Sequence, residues 1–290
     1  MGDAPPEPGQ AADLVSPWRA AAADYGRLSA RIGFYDASAE RLADMVPPAA
    51  RIVADFACGH GRFARALLRR APVAASLRAL ILMDAAPEML HGTRDIAAPG
   101  LRIHRLVGDH HLRHLAPAHV GRIDVIGVNS AIHLLRDRAY RLDLGPFLAR
   151  CRDVLAPGGS VLANIPDQDF DFADGWTSRF HVHARRLRPD TPERAALERI
   201  SGAWLRIQAD RFGFDLSLET RTFELTWSDF IDFYRIPAIG GCRLGETGRI
   251  ERLAEIETQP AWFEREPYRW AFVRLVRRDR PPGRSLGRED

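Results

Sequence analysis

Three aspartates stand where short apolar runs give way to small residues: Asp55 in DFACGHGRFA, Asp84 in LILMDAAPEML and Asp109 in LVGDHHLRHL. A carboxylate at the tip of a strand can face an ammonium group, or accept hydrogen bonds from a ligand's hydroxyls and amines. Gly59 and Gly61 complete the first segment, because a backbone without Cβ atoms can turn sharply and come close to a ligand. Asp84 is suited to accept both hydroxyls of a ribose. Asp109, following Gly108, is placed to accept from an adenine amino group. Taken alone, Gly59-x-Gly61-x-x-Ala64 fits the dinucleotide fingerprint, and it also fits a tight strand-to-helix turn with no ligand. Asp55 separates the readings, since a carboxylate at that tip repels a pyrophosphate and attracts an ammonium.

Alternating strands and helices must hold these segments. Residues 51–56, 79–83, 101–107, 123–128 and 161–165 form short runs rich in β-branched residues, bounded mostly by Gly, Pro or Asp, which predicts buried strands. Residues 62–70, 87–94 and 144–155 carry helical spacing. The alternation predicts an α/β, Rossmann-like, doubly wound fold: a mostly parallel seven-stranded sheet with helices on both faces. After Pro166 the pattern changes. Residues 167–175 are acidic and aromatic without periodicity. The spacing of Leu197, Ile200, Trp204 and Ile207 predicts one helix over 192–212, stopped by Gly213. Residues 216–225 and 268–276 read as strands, Thr226-x-x-Asp229 as a capping box for a helix over 230–235, and 237–248 as loop. The expected organisation is a tail over 1–14, a helical cap over 15–50, the ligand-binding core over 51–165, a helical lid insertion over 166–215, completion of the sheet over 216–280, and a second tail over 281–290.

In this order the segments resemble the class I S-adenosylmethionine-dependent methyltransferases of small-molecule type, over about residues 25–165. DFACGHGRFA is similar to the family's nucleotide-site turn, with Ala57 where the first glycine is usual. LILMDAAPEML is similar to the ribose-binding segment, LVGDHHLRHL to the adenine-binding segment, and DVLAPGGSVLANI to the turn into the fifth strand. The resemblance implies S-adenosylmethionine as cofactor and S-adenosylhomocysteine as product. It implies that Asp55, Ala57, Gly59 and Gly61 cradle the methionine portion and that Asp84 binds the ribose. Ala85 and Met89 would flank the ring, while Gly108, Asp109 and the backbone of His110 hold adenine. Tyr25 and Arg31, from the N-terminal helical segment, are expected at the methionine carboxylate. The end of the fourth strand would face cofactor and acceptor through Asn129, Ser130 and His133, with Asn129 and His133 catalytic. Asn129 also reads as the cap of a backbone turn, and His133 as a packed histidine. Methyl transfer from a sulfonium is an in-line displacement, so a base serves only a protonated acceptor. Tyr35, Phe170, Trp176 and Phe180 are expected to line the acceptor.

Composition narrows the function by exclusion. The 290 residues carry a formal charge of +3, and all 41 basic residues are arginines scattered along the chain. No run approaches the roughly 18 apolar residues of a membrane span. MGDAPPEPGQ lacks the basic and apolar regions of a secretory signal and reads as a tail. Cys58, Cys151 and Cys242 are widely spaced, so neither a disulfide framework nor a structural zinc site is indicated and a reducing cytoplasm is expected. His181-x-His183, taken with His110, His111 and His114, has no acidic partner at ligand spacing, and no metal is expected. The fourth strand does not end in N/D-P-P-Y/F, and no cysteine stands in the Pro-Cys context of cytosine C5 chemistry. A small-molecule substrate is therefore expected, with no nucleic acid, no membrane, and a monomer or homodimer. The resemblance implies O-, N- or C-methylation, and the arginine bias and aromatic supply point to a bacterial secondary metabolite as the acceptor. Two alternatives stay open: a non-methylating reaction of the same cofactor, such as cyclisation, and an NAD(P)-dependent oxidoreductase, which gives Asp55 and Asp109 no role.

Overall fold

The computed structural model describes residues 8–108, 112, 115, 119–136, 144–175, 182–183, 199–236 and 246–279. Strands β1 (Ile52–Phe56), β2 (Ala79–Asp84), β3 (Arg102–Val107), β4 (Ile123–Val128) and β5 (Leu155–Pro166) precede a two-stranded ladder of β6 (Phe170–Asp171) and β7 (Ile200–Ser201). Strands β8 (Phe214–Thr226) and β9 (Arg265–Arg277) complete a seven-stranded sheet ordered β3-β2-β1-β4-β5-β9-β8. The first five in that order pair in parallel, and β9 lies antiparallel between β5 and β8. The helices are α1 (Pro8–Ser29), α2 (Gly33–Asp44), α3 (Arg62–Arg69), α4 (Ala71–Ser76), α5 (Pro87–His91), α6 (Leu144–Val154), α7 (Gly202–Phe212), α8 (Trp227–Arg235) and α9 (Glu246–Glu257).

Alternate strand residues point to opposite faces of the sheet, and here both faces are apolar. Val53, Leu80, Leu82, Val125 and Leu162 pack on one side under α2, α3, α8 and α9. Ala54, Ile81, Met83, Ile126 and Val161 pack on the other under α6 and α7. The strands therefore read as continuous hydrophobic runs. Each Val, Leu or Ile so buried contributes about 1.5–3 kcal/mol relative to exposure, which fixes the layers.

Several boundaries differ from those the sequence predicts. Helix α1 begins at Pro8, inside the stretch read as a tail. Helix α7 begins at Gly202, because Ile200 and Ser201 are taken up by β7 and the Ser201 hydroxyl accepts from Trp204 N–H (3.1 Å) as the cap. Its buried face is Leu205 and Ala209, while Ile207 is 63% exposed, so the expected stripe is rotated out of register. This helix packs against α6 and β8, so the end of the stretch read as a lid is a layer of the fold. Residues 176–181 and 184–198 of that stretch lie outside the described residues. Helix α9 starts at Glu246, within the stretch read as loop. Gly213 does end α7 with φ 74°, and Thr226 and Asp229 form the capping box of a helix that starts at Trp227. No helix among the described residues is long and apolar enough to cross a membrane.

The chain runs β1 to β2 to β3 in one direction and then returns to place β4 on the other side of β1. That reversal opens a crevice beyond the carboxyl ends of β1 and β4, where open α/β sheets bind ligands. Asp55 and Gly127 are register partners at this point. A Cβ on Gly127 would run into the ring of fully buried Phe63, which seats α3 against the sheet. Replacing Gly127 by Ala is expected to cost about 1–3 kcal/mol through overpacking. Chemical denaturation of the two proteins measures it, and an unchanged midpoint would refute the tight seat.

Candidate active site

After β1 the backbone enters the left-handed region at Ala57 (φ 51°), Gly59 (52°) and Gly61 (74°). Alternating left-handed residues make a concave turn whose N–H groups can converge on a ligand. Ala57 holds such a conformation despite its Cβ, at a cost of about 1–2 kcal/mol. Asp84, at the end of β2, stabilises the turn: its Oδ2 accepts from Gly59 N–H (2.8 Å) and its Oδ1 from Ala86 N–H (2.9 Å). Asp55 is fully buried. Its Oδ2 accepts from Ala64 N–H (3.2 Å), and its Oδ1 has no hydrogen-bond partner among the described residues. Burial, reinforced by nearby Asp84, pushes the Asp55 carboxyl up to about 8, against the hydrogen bond from Ala64. Burial also raises Asp84, while the backbone N–H groups it accepts from hold it down.

Tyr25 of α1 lies over this turn, its ring 3.4 Å from where a Cβ on Gly59 would stand, and burial raises its phenol. Met89 is buried beside Ala22, with Tyr25 packed against the same cluster. Ala85 lies half-buried just beyond Asp84, and Gly108 N–H donates to the Asp84 carbonyl (3.0 Å). Arg31 goes elsewhere: its guanidinium pairs with Asp232 of α8 (3.1 Å) and is 56% exposed. A cation brought close to the turn is Arg62, which sequence reasoning passed over. It is 17% exposed, pairs with Asp36, donates to the Ser29 hydroxyl (3.0 Å) and stands 5.7 Å over the Tyr35 ring. Its position right after Gly61 was the available signal.

On the acceptor side, Asn129 and Ser130 follow β4 and are held by Asn164, a fully buried residue of β5 that the sequence analysis did not single out. Asn164 Oδ1 accepts from Ser130 N–H (2.6 Å), and its Nδ2 donates to Asn129 Oδ1 (2.8 Å). Ser130 has φ 56°, and its buried hydroxyl has no partner among the described residues. His133 lies in the short helical turn Ile132–Arg136, with Nε2 3.7 Å from Asp169 Oδ2. Tyr35 is buried, and burial lifts its phenol well above the ordinary value. Phe170 belongs to the core instead of the acceptor side, packed with Phe172, Ile200 and Leu205 between sheet and helices. Asp109, His110, Trp176 and Phe180 lie outside the described residues, as do His111, His114 and His181. Cys58 and Cys151 are buried, and burial lifts both thiols well above their usual range.

This strand order, mostly parallel with helices on both faces, is a Rossmann-like fold. Residues 53–159 match a family model described as a methyltransferase domain. By that match, residues 53–159 carry a methyltransferase domain. Among solved structures, the YcgJ protein of Bacillus subtilis superposes with TM-score 0.52 at 15% identity, covering 80% of this chain and 94% of that one. A Bacillus halodurans C-125 protein gives 0.51 at 15% identity, covering 84% and 98%. An S-adenosylmethionine-dependent methyltransferase of Thermotoga maritima gives 0.50 at 14% identity, covering 91% and 100%. At these identities the likeness is one of fold. No curated protein matches the chain.

The middle residue of the glycine turn has a packing role of its own. The His60 ring fills the space where Cβ atoms on Gly26 of α1 and Gly92 after α5 would stand, and it lies 5.8 Å from the Tyr25 ring. It thus bolts the N-terminal helix to the turn. Alanine at a helical glycine normally gains up to about 1 kcal/mol. Gly26→Ala is nevertheless expected to lower the melting temperature, and His60→Ala to recover most of that loss in the double variant. Additive effects in the thermal-unfolding cycle would show that the ring does not occupy this space.

Proposed function

We propose that the chain transfers a methyl group from S-adenosylmethionine to a small molecule of the size and aromatic character of a secondary metabolite. The observation that carries the cofactor assignment is Asp55: a buried carboxyl with an unpartnered oxygen beside a left-handed turn. Such a group fits the ammonium of the methionine portion and opposes a pyrophosphate. Ala57, Gly59 and Gly61 would cradle that portion beneath Tyr25. Asp84 would take the ribose hydroxyls, Ala85 and Met89 would flank the ring, and Gly108 with Asp109 and His110 would meet adenine. The cofactor supplies an electrophilic methyl group on a sulfonium. The protein's part is to bind, align and exclude water. Tyr35, Ser130, Asn129 and His133 would face the acceptor, with His133 taking its proton and Asp169 orienting the imidazole.

Binding is expected to be seen as proton release. With its carboxyl near 8, Asp55 is protonated at pH 7 in the free protein and must ionise to meet the ligand's ammonium. Calorimetry with S-adenosylhomocysteine at pH 7, in buffers of different ionisation enthalpy, should show about one proton released, and Asp55→Asn should abolish it. Asp84→Ala should weaken binding at least about tenfold. Stabilisation by NAD and not by S-adenosylhomocysteine in a thermal-shift assay would end this reading.

The same shift fixes the sign of a stability effect. The folded protein holds the Asp55 proton more tightly than the unfolded chain does, so this group's contribution is complete below pH about 4. It is lost as pH rises toward about 8. Asp55→Asn should flatten the fall in unfolding free energy across that window, and an identical slope in the variant would contradict the shift.

A further inference from the structure

The orientation of the Asn129 amide follows from a backbone donor whose identity is fixed. Ser130 N–H can only donate, so the Asn164 atom 2.6 Å from it is the amide oxygen. The other end of the Asn164 side chain is therefore its NH2 group, and the Asn129 atom 2.8 Å away must accept from it. The Ser38 carbonyl, 3.5 Å from the same NH2, agrees. Asn129 is thus turned with its oxygen against the fully buried Asn164, which leaves its NH2 on the half-exposed edge at the crevice. Among the described residues nothing accepts from that NH2.

From this geometry we infer that Asn129 offers the acceptor amide N–H donors only, so the acceptor is held through an oxygen and methylated on it. The occupant class is a phenol, enol or carboxylic acid engaged as its oxyanion, and not an amine presenting its own N–H. An amine hydrogen aimed at this edge would meet another donor, which costs the desolvation of both. The inference rests on the methyltransferase reading above and adds the acceptor's chemistry to it. The acceptor hydroxyl first passes its proton to His133, which forms the oxyanion; in the transfer that oxygen gains the methyl carbon, and the carbon–sulfur bonding pair stays on sulfur as a neutral thioether. Asn164 touches neither ligand and acts as a positioning residue, setting which face of the Asn129 amide is offered.

The test uses matched probes, 4-nitrophenol and 4-nitroaniline, titrated against the full chain saturated with S-adenosylhomocysteine. The affinity for S-adenosylhomocysteine itself is measured first. The wild-type protein should bind the phenol at least about tenfold more tightly than the aniline, with a shift of the Asn129 side-chain amide signals in NMR. Asn129→Asp keeps an oxygen for Asn164 to donate to and replaces the outward donors by an acceptor, so the preference should reverse. Asn164→Leu frees the amide to turn, and the ratio should fall toward unity while S-adenosylhomocysteine affinity holds. Should that core variant not fold, Asn129→Asp decides alone. Equal binding of the two probes, binding of neither, or an unchanged ratio in Asn129→Asp would overturn the inference. So would a loss of S-adenosylhomocysteine affinity in Asn129→Asp with the ratio preserved, which would set the donors against the cofactor. A wild-type protein that fails to bind S-adenosylhomocysteine would overturn the methyltransferase reading itself, and this inference with it.

Discussion

The reversal of strand order at β1 is the constraint on which the site depends. Because β2 and β4 flank β1 while their connections leave in opposite directions, the turns after β1 and β4 diverge and leave a gap that the sheet's own side chains do not fill. Both turns are held in backbone conformations that side chains resist. Ala57 on one and Ser130 on the other have φ near +50°, and each is pinned beside a hydrogen-bonded partner from a neighbouring strand. Asp84 of β2 holds the first turn through Gly59, and Asn164 of β5 holds the second through Ser130. Strain of this kind persists where the surroundings over-determine it, and here polar groups at the tips of buried strands do so.

The two pinning residues differ in charge, and the difference matches what each side would meet. Asp84 carries a carboxylate into a region already holding Asp55, and that proximity is part of what keeps Asp55 protonated. Such a pair suits a ligand that brings hydroxyl donors and an ammonium. Asn164 serves Ser130, Asn129 and Ser38 without a charge, deep in the sheet, where an ion would cost several kcal/mol to bury. An amide accepts at one end and donates at the other while remaining neutral, so Asn164 can hold Ser130 and orient Asn129 without placing a charge there.

The fold and the turn after β1 were legible because they are written in local patterns. The apolar runs mark strands buried on both faces, and the glycines and aspartates that follow them sit at fixed offsets from the strand ends. The capping box at Thr226 and the stop at Gly213 were readable for the same reason. Arg31 misled because an arginine's reach is decided by tertiary neighbours: Asp232, about two hundred residues on, captures it. Phe170 misled because an aromatic residue after the last parallel strand reads equally as pocket or core, and α7 makes it core. Asn164 was passed over because a single asparagine in an apolar strand carries no pattern; its meaning comes from two residues just past the end of neighbouring β4.

His60 shows how one residue of a motif can carry information that its flanking glycines conceal. Gly59 and Gly61 have left-handed backbones, so their lack of side chains answers to the turn. Gly26 and Gly92 have no such backbone reason, and each leaves room for the imidazole instead. Burial depresses the His60 pKa against a hydrogen bond with the Ala22 backbone, so the ring is tied to α1 by that bond as well as by shape. Such a bolt suits a place between the glycine turn and the helix that carries Tyr25, because nearby Arg62 and Arg65 disfavour a charged imidazole there.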